Sequence, residues 1–212
     1  ISRAISCCLP CNHYNGSTMN KTFSSLTLSI LLLSGCSGAP GENMSLEQHL
    51  KNPLYAERYA EEMVDRMVEY KIQDDPILED EQKADVIEKT RKEWLEVGRD
   101  ARKIQNEGFR GFLISINESV KGELLYLNNI LYTDTLFAVS PGPNLHFYIS
   151  TVVDPRDAEF PDETAIDIGK LDSAYGAQTY TVTPVEDPQL YRTVVVWDQD
   201  LERLYGFAQM AK

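Results

Sequence analysis

Cysteine is scarce in this chain of 212 residues and confined to one end: Cys7, Cys8, Cys11 and Cys36, with none after Cys36. Everything beyond that point therefore lacks a disulfide, a thiolate metal site and a cysteine nucleophile. Positive charge is also short, with 20 Lys and Arg against 33 Asp and Glu and a formal net charge of −13. Nucleic acid is excluded as a partner, because phosphate contacts need clustered Lys and Arg. Histidine is limited to three positions, His13, His49 and His146. No CxxCH motif exists, which excludes covalent haem. There is no phosphate loop, nucleophile elbow or zinc-protease motif, so hydrolytic catalysis lacks its parts. Finally, no apolar run reaches the length that crosses a bilayer as a helix.

What is present begins with a leader. Met19, Asn20 and Lys21 precede "TFSSLTLSILLLSG", a short apolar run ending in small residues. That pattern predicts a secretory signal over residues 19–35, with residues 1–18 read as an upstream or misannotated segment. "CCLPC" and His13 match no standard zinc spacing. The signal closes on Leu33, Ser34, Gly35 and Cys36, which resembles the bacterial lipobox. The resemblance implies cleavage before Cys36 and diacylation of its thiol, so the lipid bilayer is the expected partner of that residue. Ser37 in the next position implies outer-membrane sorting. Loss of Arg3 and Lys21 with the leader leaves 18 basic residues against 33 acidic, a net charge of −15. A body so charged is repelled by an anionic lipid face, which leaves the acyl group as the mooring.

Residues 36–45, rich in Gly, Pro and Ser, read as a flexible tether. Residues 46–105 read as a helical hairpin. Ser45 with Gln48 forms a capping-box pattern, and Pro53 suits the first turn of the main helix. Ala56, Tyr59, Ala60, Met63, Met67 and Tyr70 recur at helical spacing. Asp74, Asp75 and Pro76 break the run. A second helix over about 79–105 presents Ala84, Ile87, Trp94, Val97, Ala101 and Ile104 on one face. Such a hairpin packs on itself or offers its stripe to an envelope protein partner.

From residue 106 the period changes to two. Phe112, Ile114 and Ile116 alternate with polar neighbours, and so do Leu145, Phe147 and Ile149. Asn128 and Asn129 mark a turn. A polar loop covers residues 154–163. About eight short strands in some hundred residues give an α+β chain: a hairpin stalk, then an antiparallel β-sandwich or barrel-like module over residues 106–212.

Three blocks of this module, "GPNLHFYIS", "DIGKLDSAYGAQTYTV" and "YRTVVVWDQDLERLYGFAQM", with "VKG" at 120–122 before them, resemble in order those of the DM-thirteen domain. That resemblance covers about residues 109–210. It implies an extracellular β-module, proposed for electron transfer and often found beside DOMON domains. In the family a cysteine follows the strand equivalent to "VVVW"; this chain has Asp198 there. A carboxylate cannot carry thiol redox chemistry.

The candidate ligand-binding or redox-equivalent positions are thus Trp197, Asp198 and His146, with Asp198 expected as a solvated strand-end acid. The acids Asp154, Asp157, Glu159, Asp162 and Glu163 are candidate oxygen ligands for calcium, although their spacing is not that of an EF-hand. No cofactor is called for by the residues; the family resemblance implies a non-covalent redox cofactor as the alternative. The expected function is binding without catalysis by an envelope lipoprotein. Electron transfer and a calcium-dependent structural or adhesion role are the alternatives.

Overall fold

The computed structural model describes residues 44–185 and 187–212. The leader, the lipobox and most of the tether lie outside the described residues. None of the described helices is long and apolar enough to cross a membrane.

The chain enters through a short helix, α1 (Leu46–His49), closed by the expected capping box: Gln48 N donates to Ser45 Oγ at 3.3 Å and Ser45 N donates to Gln48 Oε1 at 2.6 Å. Helix α2 (Pro53–Ile72) begins at the proline, whose missing N–H costs nothing there. Its N-cap is Asn52. A 3₁₀ turn (Pro76–Glu79) follows, and α3 (Glu81–Gln105) starts behind the N-cap Asp80. The helices are antiparallel. Near the module, Arg102 pairs with Glu57 and Glu61 at 2.6 and 3.1 Å, and at the far end Lys71 pairs with Glu88.

The buried stripe of α3 differs from the expected one. Ile87 and Ala101 are buried, but so are Gly98 and Gln105, while Val97 and Ile104 are exposed. Gly98 and Gln105 take the inward positions expected of Val97 and Ile104, because the helices meet at small residues there. A Cβ on Gly98 would lie 3.4 Å from Ala60 Cβ. A count of apolar side chains cannot register a contact made by glycine. On α2, Ala56 and Ala60 are buried as expected, whereas Tyr59, Met63, Met67 and Tyr70 are half-buried.

Two antiparallel sheets follow. The first has the order β1 (Phe109–Phe112), β4 (Glu123–Leu127), β5 (Ile130–Thr133), β9 (Thr179–Thr181). The second has the order β2 (Ile114–Ser115), β11 (Arg203–Gln209), β10 (Thr193–Asp198), β7 (Leu145–Ser150), β8 (Ile166–Lys170). A ribbon of β3 (Val120–Lys121) and β6 (Ala138–Val139) stands apart. The run from β1 into β2 passes between the sheets: β1 pairs with β4, and β2 with β11. The architecture is the expected α+β, a helical hairpin before a sandwich-like β-module. Asn128 and Asn129, with φ of 52° and 61°, turn β4 into β5 as expected.

Leu124, Leu131, Phe147, Ile149, Val194 and Val196 fill the main core. Because side chains alternate along a strand, Tyr148, Val195 and Trp197 project to the other face of the second sheet. There they meet Phe160, Leu204 and Phe207 in a second cluster. Strand β10 is therefore buried on both faces. The stretch read as a polar loop supplies the cover, since Phe160 is 9% exposed. One expectation reverses: Phe112 and Ile114 point outward, and Leu113 between them enters the core. A shift of one residue exchanges the two faces of a strand.

Candidate functional site

The turn between β10 and β11 and the loop before β7 bring the sequence candidates to one end of the second sheet. Asp198 ends β10, opposite Leu145 and Arg203. It is 0% exposed, not the solvated acid the sequence suggested. Its Oδ1 accepts the backbone N–H groups of Asp200 and Leu201 at 3.1 and 3.0 Å, and its Oδ2 accepts that of Asn144 at 3.3 Å. The carboxylate thus closes the turn and ties down the neighbouring loop, a use of Asp that follows from its short reach to nearby amides. Space around it is filled. A Cβ at Gly142 would overlap Asp198 Oδ2 and lie 2.6 Å from Tyr205 Oη. The Tyr205 phenol is pushed up by burial and by the charge of Asp198.

His146 sits opposite Trp197 on β7. Its Nδ1 lies 2.9 and 3.0 Å from the two oxygens of Asp167, and its Nε2 lies 3.3 Å from Asn144 Oδ1. Both ring nitrogens are engaged. Gln199 Nε2 donates to Tyr148 Oη at 2.7 Å and to Asp167 Oδ2 at 2.9 Å. Burial pushes the Tyr148 phenol up, and the Gln199 contact partly offsets it. Met210 lies in the core beside the opposite end of β10, where Thr193 faces Gln209.

Next to this network lies a groove of about 730 Å³, a size that takes a small molecule. Tyr148, Phe160 and Trp197 line its floor, with ring centroids 5.5 Å apart for Tyr148–Phe160 and 5.1 Å for Phe160–Trp197. Glu159, Glu163 and Glu202 stand at its rim. Asp162 also lines it but is spent on its own loop, accepting from Ser150 Oγ at 2.7 Å and Thr164 N at 2.8 Å. Burial raises its pKa, yet the bonds from Thr164 and Ser150 outweigh burial and hold the carboxyl below its ordinary value.

The calcium candidates do not gather into one ligand set, although Glu159, Asp162 and Glu163 line the same groove. Asp154 is held by Arg156, whose guanidinium Nε lies 2.9 Å away and lowers the Asp154 carboxyl to about 2. Arg156 itself stacks 5.7 Å from the Phe207 ring. Asp157 is exposed, and among the described residues no three His, Cys, Asp or Glu side chains are grouped to hold a metal ion.

Trp197 was the one sequence candidate found in the groove with an aromatic role. Tyr148, Phe160 and Gln199 were missed as site residues. Tyr148 and Phe160 read as sheet or loop residues, and Gln199 as part of a turn; only the pairing of β7 with β10 and the fold of residues 154–163 unite them.

No curated protein and no solved structure matches the chain. The family model described as Electron transfer DM13 matches residues 113–210, so the C-terminal β-module is similar to that family, as its strand blocks implied, and the helical hairpin lies outside the match.

Proposed function

We propose that the chain is a cell-envelope lipoprotein, anchored through an acylated Cys36 at the outer membrane, whose β-module binds a ligand without turning it over. The observation that carries this reading is the groove, an aromatic floor beneath a rim of carboxylates. The two sequence candidates beside it are committed to structural bonds. His146 has both nitrogens occupied, and Asp198 serves three backbone amides. Neither of these two side chains is left free to act as a general base. In this reading the hairpin holds the module off the acyl anchor, and its half-buried face is offered to an envelope protein partner.

Two experiments test the two halves. Radiolabelled palmitate should enter the wild-type chain and be lost in Cys36→Ala; equal labelling refutes the anchor. Equilibrium dialysis of the purified protein against a small-molecule extract of its own envelope, read by mass spectrometry, should leave a compound on the wild type. If nothing is retained, the binding reading falls.

The family match favours a second reading, a redox module with a non-covalent cofactor. It predicts a visible absorption band in protein purified from its own organism, bleached by dithionite. The buried, fully engaged carboxylate at Asp198 opposes it, because that position offers no thiol.

A further inference from the structure

We propose that α3 pairs antiparallel with α3 of a second copy of this chain, joining two hairpins into a four-helix bundle; the proposal rests on the reading that the hairpin is offered to an envelope protein, and names that protein. The two sides of the hairpin differ. One side is closed by charge: Arg102 pairs with Glu57 and Glu61, and Glu88 with Lys71 and Arg91. The other side carries rings and aliphatic groups. His49 stacks on Tyr55 and Tyr55 on Tyr59, and Tyr59 packs against Trp94 with ring centroids 4.9 Å apart. Further along that side of α3, Val86, Val97 and Ile104 are 62, 37 and 42% exposed. Two helices alone provide no second layer to cover such a face.

The order of residues along α3 decides what covers it. Val86, Lys89, Glu93, Val97, Asp100 and Ile104 advance by three or four residues and so form one row on the helix. Laid antiparallel on itself with Val86 opposite Ile104, the row sets Lys89 against Asp100 and Glu93 beside Val97. A two-fold axis makes each match twice. Aliphatic side chains then meet at both ends of the contact, and each lysine meets a carboxylate. Parallel pairing would instead set Lys89 against Lys89 and Asp100 against Asp100. Within one chain Lys89 and Asp100 hold only exposed partners, Glu93 at 3.8 Å and Lys103 at 2.9 Å. Such pairs contribute little and do not compete strongly with a contact between chains.

Size and placement agree with this occupant. Helix α3 has 25 residues, which makes it about 37 Å long. With α2 beside it at about 9 Å, the face measures on the order of 700 Å², near the roughly 800 Å² per partner of a stable interface. Each β-module follows the C-terminal end of its own α3, so antiparallel pairing sends the two modules to opposite ends of the bundle. A lipid surface is the poorer occupant, because a chain of net charge −13 is repelled by anionic headgroups.

Sedimentation equilibrium of the purified full chain across the micromolar range tests the pairing. The wild type should show a monomer–dimer equilibrium, and Val97→Glu should remain monomeric. Lys89→Glu and Asp100→Lys should each weaken the dimer about tenfold, since each reversal turns two attractions into repulsions. The double variant Lys89→Glu, Asp100→Lys exchanges the charges and should return to within about threefold of the wild type. All three positions are exposed, so every variant should keep the wild-type circular dichroism spectrum. The leader is common to all of them, and association through it would not respond to these changes. A monomeric wild type, association that Val97→Glu leaves intact, or a double variant as weak as the single ones overturns the proposal. If the wild type is monomeric and a photoreactive residue placed at Val97 joins it to a different protein in intact envelopes, only the identity of the partner is overturned. If that residue joins it to nothing, the envelope-partner reading falls as well.

Discussion

Asn52 Nδ2 donates to the carbonyl of Thr133 at 2.9 Å, a buried contact across 81 residues that joins the hairpin to the β-module. The same side chain caps α2, since its Oδ1 accepts from Leu54 N at 3.0 Å and Tyr55 N at 3.4 Å. Gln105 at the other helix end donates to the Pro53 carbonyl at 2.9 Å. The hairpin is thus seated by hydrogen bonds at its base, where its buried residues also gather. Asn52→Ala should cost about 1–3 kcal/mol, the sum of a lost cap and a buried carbonyl left unpaired. Urea denaturation followed by circular dichroism measures it; a change below about 0.5 kcal/mol would refute the assignment.

Asp198 supports a second prediction. Asp198→Ala strands three backbone amides and should destabilise the module by about 2–4 kcal/mol. Asp198→Asn keeps an accepting oxygen and should cost about half as much. Asp198→Cys restores the family's residue but offers a weak acceptor, so it should resemble the alanine variant. Stability equal to wild type in the cysteine variant would show that the carboxylate is not what closes this turn. Gly142→Ala drives a methyl against the same carboxylate and Tyr205 Oη and should cost about 1–3 kcal/mol.

Gly98 gives a prediction of opposite sign. A methyl there meets Ala60 Cβ at 3.4 Å, an ordinary van der Waals distance. Gly98→Ala should therefore stabilise the hairpin by about 0.5–1 kcal/mol through helix propensity and the unfolded chain's lost freedom. Gly98→Leu should separate the helices and lower the melting temperature. If both substitutions destabilise equally, the helices are closer than the Gly98–Ala60 contact implies.

Tyr180 sets a pH limit. Burial pushes its phenol up to about 12 from an ordinary value of 10.0. Its oxygen accepts from Asp172 N at 3.0 Å, and its hydroxyl donates to Gln178 Oε1. The folded chain holds this proton after the unfolded chain has lost it. Its stabilising contribution is therefore complete below about pH 10 and lost as pH rises toward about 12. The loss amounts to about 2–3 kcal/mol at most. Ultraviolet titration of phenolate should show fewer tyrosines ionising near pH 11 in the folded wild type than after unfolding, and Tyr180→Phe should reduce that difference by one tyrosine.

Much of the architecture was legible because it rests on local rules. The capping box at Ser45, the proline at the start of α2 and the paired asparagines between β4 and β5 each act within a few residues. Alternation placed Leu145, Phe147 and Ile149 correctly, since β7 is long enough for the period to be unambiguous. It failed at Phe112 and Ile114, where β1 and β2 together are short and pass between two sheets. On α3 the helical period placed Ile87 and Ala101 correctly and failed at Val97 and Ile104, where Gly98 makes the contact with Ala60.

The sequence by itself determined the order of the parts: an acidic chain without a thiol past Cys36, two amphipathic helices, then antiparallel strands resembling one family of β-modules. Those features depend on composition and short-range spacing, which a single chain displays openly. Tertiary structure alone decided that Asp198 is sealed among amides, that Phe160 leaves a polar loop to cover Trp197, and that three glutamates from two separate segments face one groove. The reason is range. Each of those relations joins residues brought together by strand pairing or loop packing, and their energies depend on distances that no local pattern encodes.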